Sequence, residues 1–346
     1  MPLRFRPAVL LAAILLGPAA GCSSTGTPAS GGTRPAPDLG PVVPPVWTSL
    51  IGDYGLGSDT LSLLEDADRL RLKDWRGTTR TLRSTTDSTL VADDGTTVRV
   101  RRTPGGQAYQ LAIGERTFAR FAWGPAEGNV FRITPRRDVE TLRRESLAAT
   151  PPVEAGDFRP SDLVELAPLD PTIKLDVRYA GTDNFMGVPL YSSARAFLQR
   201  PAAEGLARAH RKLRAKGFGL LIHDGYRPWY VTRMFWEATP DSLRVFVADP
   251  SRGSRHNRGC AVDLTLYELA TGQPVEMPGV YDEMSPRSYP TYPGGTTRQR
   301  ALRETLREAM EAEGFAVYEA EWWHFDYKDW RSYRIGNQRF EELARE

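Results

Sequence analysis

The chain is poor in cysteine and histidine, with only two cysteines and four histidines among 346 residues. The cysteines are Cys22 and Cys260, and neither is expected to form a structural disulfide. The chain also lacks an excess of either charge. Its 45 basic residues nearly balance its 43 acidic ones, and the net charge of +2 indicates no nucleic-acid partner. Apart from a short N-terminal run, no apolar stretch is notable, and none is long enough to cross a membrane.

The N-terminus has the layout of a secretory signal. Two arginines precede the apolar run from Ala8 to Leu16, and small residues then lead to Cys22. Small residues directly before a cysteine resemble a bacterial lipobox, although Ala19 stands where that motif prefers leucine. We therefore expect residues 1–21 to be a lipoprotein signal peptide and Cys22 to carry a lipid that anchors the chain to a membrane. Plain secretion with a free Cys22 is the alternative.

A flexible stalk is predicted after this anchor. Residues 22–45 are rich in Ser, Thr, Gly and Pro and show no apolar period, which is typical of a disordered tether. A lipid anchor on such a tether predicts a protein of the cell envelope that faces the periplasm.

Residues 46–135 are predicted to form a small all-β barrel or sandwich domain. Short apolar runs alternate there with turn residues, and Asp93-Asp-Gly95 and Pro104-Gly-Gly106 are strong hairpin signals. The domain carries no catalytic constellation, so contact with the cell wall, docking and a stabilising role are all open. Residues 136–158 are predicted to be a connector with a short helix. The candidate strands are Thr60–Leu64, Leu70–Leu72, Arg80–Leu82, Thr89–Val91, Thr97–Val100, Gln110–Ala112, Phe118–Phe121 and Val130–Ile133.

Two motifs that combine histidine with an acid lie in residues 159–346. His256 and Asp263 lie in one segment, and Glu321 and His324 lie in the other, some sixty positions later. Two imidazoles and one carboxylate suit zinc, and three protein ligands leave one coordination position open, as in catalytic sites. Glu321 is then a further carboxylate that could act as a general base. The sequence therefore predicts a hydrolase with one zinc ion per chain.

Local geometry constrains both motifs. In a strand from Cys260 to Leu266, alternate side chains face opposite ways, so Asp263 is the sole charge on its face. Cys260 then points to the core as a small buried hydrophobe, with a fourth metal ligand as the alternative. Glu321 and His324 are three apart and would face opposite ways in a regular strand. We therefore expect a bend around Trp322.

The remaining pattern predicts an α+β domain, with helices packed on a central antiparallel sheet. Strands are expected near Leu220, Val262 and Trp323. His210 lies on the apolar stripe of a predicted helix and is expected in the core, whereas His223 is a candidate for the surroundings of the site. The predicted helices are Ser192–Leu198, Pro201–Lys216 and Arg298–Glu313.

Several segments resemble the D-alanyl-D-alanine dipeptidases, the zinc enzymes of the vancomycin-resistance type. They are Ser254-Arg-His-Asn-Arg-Gly-Cys-Ala-Val-Asp263, Glu321-Trp-Trp-His-Phe325, Asp224-Gly-Tyr-Arg-Pro228, and parts of 175–191 and 281–288. The similarity keeps the same order over roughly residues 160–335.

This resemblance implies hydrolysis of D-Ala-D-Ala, with zinc held on the sheet by His256, Asp263 and His324. It also implies that Glu321 is the catalytic base and that Arg227 stabilises the oxyanion. A structural ion pair is the alternative for Arg227.

A free dipeptide carries an amine and a carboxylate, and the site needs a partner for each. Asp282 is the candidate for the amine and Ser254 for the carboxylate, although both residue types often only cap local backbone. Two other functions are open. One is a zinc D,D- or L,D-carboxypeptidase that trims longer peptidoglycan peptides, and the other is a non-catalytic, wall-binding lipoprotein. Whether loops 175–191 and 274–293 exclude longer peptides separates the dipeptidase from the carboxypeptidase.

Overall fold

A computed structural model describes residues 39–40, 42–55, 59–121 and 130–343. The predicted signal peptide and most of the predicted tether lie outside the described residues, and so does Cys22. A search of the described residues finds no helix that is both long and apolar enough to span a membrane. The boundaries predicted at residues 46, 135 and 159 stay predictions, because the described residues all belong to one compact unit.

The first part of the described chain is an antiparallel meander in which every strand pairs with the next. Its last segment returns to its first strand. Gly55 N donates to Ala119 O, and Phe121 N donates to Asp53 O, each at 2.8 Å. These bonds close the meander into a barrel, one of the two all-β folds predicted. The elements are α1 Pro45–Thr48, β1 Gly52–Tyr54, β2 Leu61–Asp66, β3 Arg69–Asp74, β4 Thr79–Thr86, β5 Thr89–Ala92, β6 Thr97–Arg102, β7 Ala108–Ile113 and β8 Arg116–Ala119.

The barrel interior is filled by alternate residues of its strands. Leu63, Leu72 and Leu111 are at most 1 % exposed, and burial of each contributes roughly 1.5–3 kcal/mol. The strand predicted at Val130–Ile133 is wrong. This segment has no strand partner; Ile133 N donates to Phe185 O at 3.0 Å, and its apolar side chains pack on the second core. The alternation of apolar residues in this segment predicted that their side chains would be covered, but it did not show which part of the chain covers them.

The second part holds a five-stranded sheet in the order β10-β12-β13-β15-β14, antiparallel except for the parallel pair β10–β12. A small antiparallel pair, β9–β11, lies beside it. This arrangement confirms the predicted α+β class. The elements are α2 Val139–Ala148, β9 Leu163–Glu165, β10 Lys174–Leu175, β11 Phe197–Gln199, α3 Arg200–Arg214, β12 Phe218–Asp224, α4 Trp229–Ala238, β13 Ala261–Glu268, α5 Thr297–Glu311, β14 Phe315–Tyr318 and β15 Glu321–Tyr327. Short 3₁₀ helices occur at Arg178–Ala180, Asp241–Phe246, His256–Arg258, Pro286–Ser288 and Trp330–Ser332.

Two amphipathic helices cover one face of the sheet and leave the other for the site. The helix α3 ends before Gly217, whose φ of 91° is readily adopted only by glycine. The helix α5 begins with a capping box between Thr296 and Gln299, a feature worth about 1 kcal/mol. His210 of α3 is buried, as predicted, and its Nδ1 accepts a bond from Leu220 N at 3.1 Å.

Two local predictions differ from the structure. The helix predicted at Ser192–Leu198 is wrong, because Phe197–Gln199 is the strand β11 and pairs with β9. The helix α4, Trp229–Ala238, was not predicted. Its aromatic and β-branched residues have low helix propensity, and tertiary burial of most of its side chains compensates for this.

Candidate active site

A tight turn brings His256 back beside the strand that carries Asp263. His256 opens a 3₁₀ turn that ends at Gly259, whose φ of 66° lies in the left-handed region. A Cβ at Gly259 would lie 2.4 Å from Leu163 Cδ2, so a larger residue would have to displace that side chain and adopt a positive φ. Cys260 follows; it is fully buried in the core, and burial raises the pKa of its thiol to about 12. It is thus a buried hydrophobe, as predicted.

The second motif reaches the site through an irregularity of β15. Asp263 pairs directly with His324 across β13 and β15, so both side chains share one face. Against β14 the register shifts: Val317 pairs with Phe325, but Tyr318 pairs with Glu321. The extra residues 322–324 form the predicted bend. It brings Glu321 Oε2 to 3.6 Å from His324 Nδ1.

Three potential ligand atoms meet on this face. His256 Nε2 lies 3.1 Å from His324 Nδ1 and 3.2 Å from Asp263 Oδ1, and His324 Nδ1 lies 3.1 Å from the same oxygen. All three residues are buried. Although two nitrogens are close, Asp263 Oδ1 makes no well-directed hydrogen bond with any described residue. Within the described ranges, these three side chains form a group that could hold a metal ion.

The opposite nitrogen of each imidazole is already bonded, which fixes its orientation. His256 Nδ1 is 2.6 Å from Gly225 O, and His324 Nε2 is 2.9 Å from Asp326 Oδ1. Because both acceptors need an N–H, the remaining nitrogen of each ring faces Asp263 and is the one that could bind a metal in place of a proton. Sequence reasoning missed Asp326, although alternation along β15 places it on the same face as His324.

The electrostatics of the site favour positive charge between the imidazoles. Burial alone would lower the pKa of His324, but Asp326 and Asp263 raise it to about 10. Burial alone would raise the pKa of Asp263, but the two imidazoles hold it well below its usual value. Burial raises the pKa of Glu321 to about 7, against the opposing charge of His324. Several carboxylates therefore surround the two imidazoles, an environment that attracts a cation.

Arg227 enters the site from the turn after β12. Its Nε donates to Asp224 Oδ2 at 2.8 Å, and its Nη2 lies 3.4 Å from Asp263 Oδ2. The guanidinium also lies over the ring of Phe235, 4.8 Å from its centroid. The ion pair considered as the alternative is thus present, and it also orients Arg227 in the site. Asp224 was not predicted as its partner; the i, i+3 spacing in Asp224-Gly-Tyr-Arg227 was the available signal.

The two candidates for the substrate ends also lie at the site. Asp282 has a φ of 62° and accepts a bond from Tyr179 OH at Oδ1 (2.8 Å), whereas its buried Oδ2 has no partner among the described residues. Burial raises the pKa of Asp282 well above its usual value. Ser254 Oγ accepts a bond from His256 N at 3.2 Å, so it also caps local backbone, the role weighed against it.

One cavity collects every side chain predicted for the site. Its volume is ≈ 100 Å³. The predicted residues that line it are Arg227, Ser254, His256, Asp263, Asp282, Glu321 and His324. Tyr281, which sequence reasoning did not select, donates from its OH to Asp263 Oδ2 at 3.1 Å. The ring of His223 stacks on the ring of Tyr281, with 4.6 Å between the two centroids.

Comparison with known proteins gives the family of the part of the chain that holds this site. A family model described as D-ala-D-ala dipeptidase matches residues 159–345. The chain belongs to this family. It is therefore a peptidase. The match covers all seven residues predicted for the site, but it does not cover the barrel strands.

Individual relatives are similar over about half of the chain. The D-alanyl-D-alanine dipeptidase of Escherichia coli (strain K12) is 35% identical over 175 residues, which is 51% of this chain and 89% of the relative. That of Enterococcus faecium is 35% identical over 178 residues, 45% of this chain and 87% of the relative. That of Streptomyces coelicolor is 37% identical over 175 residues, again 45% and 87%.

Proposed function

We propose that this chain hydrolyses D-Ala-D-Ala to two D-alanines with one zinc ion bound by His256, Asp263 and His324. The observation that carries the proposal is the buried group of three potential ligand atoms, one each from His256, Asp263 and His324. One of these atoms, Asp263 Oδ1, has no hydrogen-bond partner among the described residues. The names of the relatives support the substrate class.

The donor set fits zinc. Two imidazole nitrogens and one carboxylate oxygen are ligands that zinc takes in catalytic sites, and atoms on one tetrahedral zinc lie roughly 3.3 Å apart at bond lengths of ~2.0–2.1 Å. The observed separations of 3.1, 3.1 and 3.2 Å are close to this value. When bound, zinc would lower the pKa of a water ligand toward ~7 and polarise the scissile carbonyl.

The other side chains supply proton transfer and charge. Glu321, whose pKa is raised to about 7 by burial, is suited to accept a proton from the attacking water and to return it to the leaving amine. Arg227 stays positively charged, and its bond to Asp224 holds the guanidinium beside the cavity. There it would stabilise the negative charge that develops on the carbonyl oxygen of the substrate.

The ends of the dipeptide would meet Asp282 and Ser254. The unpartnered Asp282 Oδ2 is suited to a substrate ammonium, which would also offset the burial of that carboxylate. Ser254 has a hydroxyl hydrogen to donate to the substrate carboxylate. The names of the relatives favour a dipeptide over the alternative, a zinc D,D- or L,D-carboxypeptidase that acts on longer peptidoglycan peptides. A non-catalytic wall-binding role would predict a damaged site, whereas all seven predicted residues line one cavity.

Substrate comparison tests this proposal. We expect release of D-alanine from D-Ala-D-Ala, and a loss of about 100-fold or more in kcat/KM when the amine is acetylated, because Asp282 then loses its charged partner. The Asp282→Asn variant should lose most of this discrimination. Equal cleavage of free and acetylated dipeptide would contradict the proposal. Faster release from a pentapeptide that ends in D-Ala-D-Ala would favour the carboxypeptidase.

We also propose that the enzyme faces the periplasm in the cell envelope, anchored by a lipid on Cys22. Fractionation of cells that express the wild type and Cys22→Ser tests the anchor. We expect the wild type with the membranes and the variant in the soluble fraction. Binding of the intact chain to purified peptidoglycan tests the wall contact considered for the barrel.

A further inference from the structure

A second cavity, with a volume of ≈ 480 Å³, lies between the barrel and the sheet. Ile51 and Gly52 line it from the barrel, and Leu221, Thr265 and Trp322 line it from the sheet. None of the seven residues predicted for the active site lines it. It is therefore a separate compartment.

Two buried polar groups in its wall have no hydrogen-bond partner among the described residues. They are Trp322 Nε1 and Thr265 Oγ1, in side chains of residues that are 3 % and 5 % exposed. Thr265 lines this cavity from β13, and Trp322 lines it from the bend of β15. Buried polar groups are rarely left unsatisfied in folded proteins, and two of them in the wall of one cavity indicate a ligand.

The chemistry of the wall selects the class of that ligand. Trp322 Nε1 can only donate, and Thr265 can donate as well, so the ligand must offer acceptors. Arg178 and Arg287 also line the cavity. Each is paired with a carboxylate, Arg178 with Asp176 at 2.6 Å and Arg287 with Glu283 at 2.7 Å, but a guanidinium has five N–H donors, so each keeps donors for an anionic ligand. Ile51, Leu221 and Val275 contribute aliphatic surface to the wall. We propose that this cavity binds a small organic carboxylate with a short aliphatic part, with its oxygens on Trp322 Nε1 and Thr265 Oγ1.

Tyr281 forms a wall between the two compartments. Its ring lines the second cavity and stacks on His223, and its OH donates to Asp263 Oδ2 in the active site. A ligand in the second cavity would contact this ring without occupying the dipeptide site. Binding there and hydrolysis are consequently separable measurements.

Isothermal titration of the zinc-loaded full chain with isobutyrate tests the proposal, with isobutyramide as the neutral analogue. We expect isobutyrate to bind and the amide to bind at least about tenfold more weakly. Trp322→Phe keeps the ring and Thr265→Val keeps the shape, and each should weaken isobutyrate binding about tenfold or more, because each removes one donor to a charged acceptor. Trp75→Phe, which changes an exposed tryptophan of the barrel, is the matched control and should bind like the wild type.

Two results would overturn the proposal. One is the absence of isobutyrate binding, and the other is equal affinity in the wild type and both variants, which would assign the carboxylate to another site such as the metal centre. If the variants do not fold, crystals of the wild type soaked in isobutyrate decide. Density for the carboxylate between Trp322 and Thr265 supports the proposal, whereas ordered water alone there contradicts it.

Discussion

Replacement of Glu321 by glutamine should abolish most of the activity while the metal stays bound. The two side chains have nearly the same shape, but the amide cannot accept the proton of the attacking water. Glu321 is not one of the three potential ligands, and its Oε2 lies 3.6 Å from His324 Nδ1, close enough to serve the same small cavity. The substitution therefore removes the base and leaves the donor set intact.

The size of the loss follows from the role. A general acid or base contributes ~10²–10⁴-fold to the rate, which corresponds to roughly 2.7–5.4 kcal/mol of activation free energy. We expect kcat of Glu321→Gln for D-Ala-D-Ala to fall by this factor, with KM changed less. The assay is release of D-alanine, measured with a coupled oxidase, on protein whose zinc content has been determined.

A neighbouring glutamate gives the matched control. Glu319 lies two residues away, between β14 and β15, and is exposed. Glu319→Gln should keep the activity of the wild type. If zinc-loaded Glu321→Gln retained more than about a tenth of the wild-type kcat, Glu321 would not be the base, and the reasoning from its burial and position would be refuted.

Three other outcomes are expected. Removal of zinc by a chelator should abolish activity and lower the Tm, and added zinc should restore both, because a ligand that binds only the folded chain stabilises it; an unchanged Tm and activity would argue against a bound metal. Burial lowers the pKa of His210 below the unfolded value of 6.5, so the unfolded chain binds more protons below pH 6.5 and stability should fall there by up to ~1.4 kcal/mol per pH unit. Urea unfolding at pH 7.5 and 5.5 should show a smaller decrease in His210→Asn, and an equal decrease would contradict the assignment. Tyr292 OH donates to the buried Asp53 Oδ2 of the barrel at 2.8 Å, so Tyr292→Phe should cost roughly 1.5–3 kcal/mol in urea unfolding, whereas the exposed Tyr109→Phe should cost almost nothing.

The potential ligands could be predicted from the sequence because their chemistry and local spacing constrain them. Strand alternation predicted the face of Asp263, and the conflict between Glu321 and His324 predicted a bend that the structure contains as a register shift. The partners of the imidazoles could not be predicted in the same way. Gly225 O belongs to the turn after β12, distant in sequence from His256, and a backbone carbonyl leaves no pattern in the side chains.

The barrel shows the same limit. Hairpin signals and alternation located seven of its eight strands, but β1 is only three residues long, and only its pairing with β2 and the closing bonds to Ala119 and Phe121 define it. The strand predicted at Val130–Ile133 failed for the opposite reason. Its alternation is real, but Phe131 and Ile133 are partly buried against the peptidase core and not against another strand. Periodicity predicts that a side chain is buried, whereas the chain topology decides what covers it.

The missed helix α4 has a functional explanation. Its sequence, Trp229-Tyr-Val-Thr-Arg-Met-Phe-Trp, has poor helix propensity, yet most of these side chains are buried. Phe235 of this helix lies beneath the guanidinium of Arg227, and Tyr230 OH donates to Leu190 O at 3.0 Å. The residues that lower the propensity are therefore those that hold the arginine and its surroundings in place. Proteins commonly contain residues of low local propensity where a functional site must be formed. The low helix propensity of α4 is therefore itself an indication that this helix supports the active site.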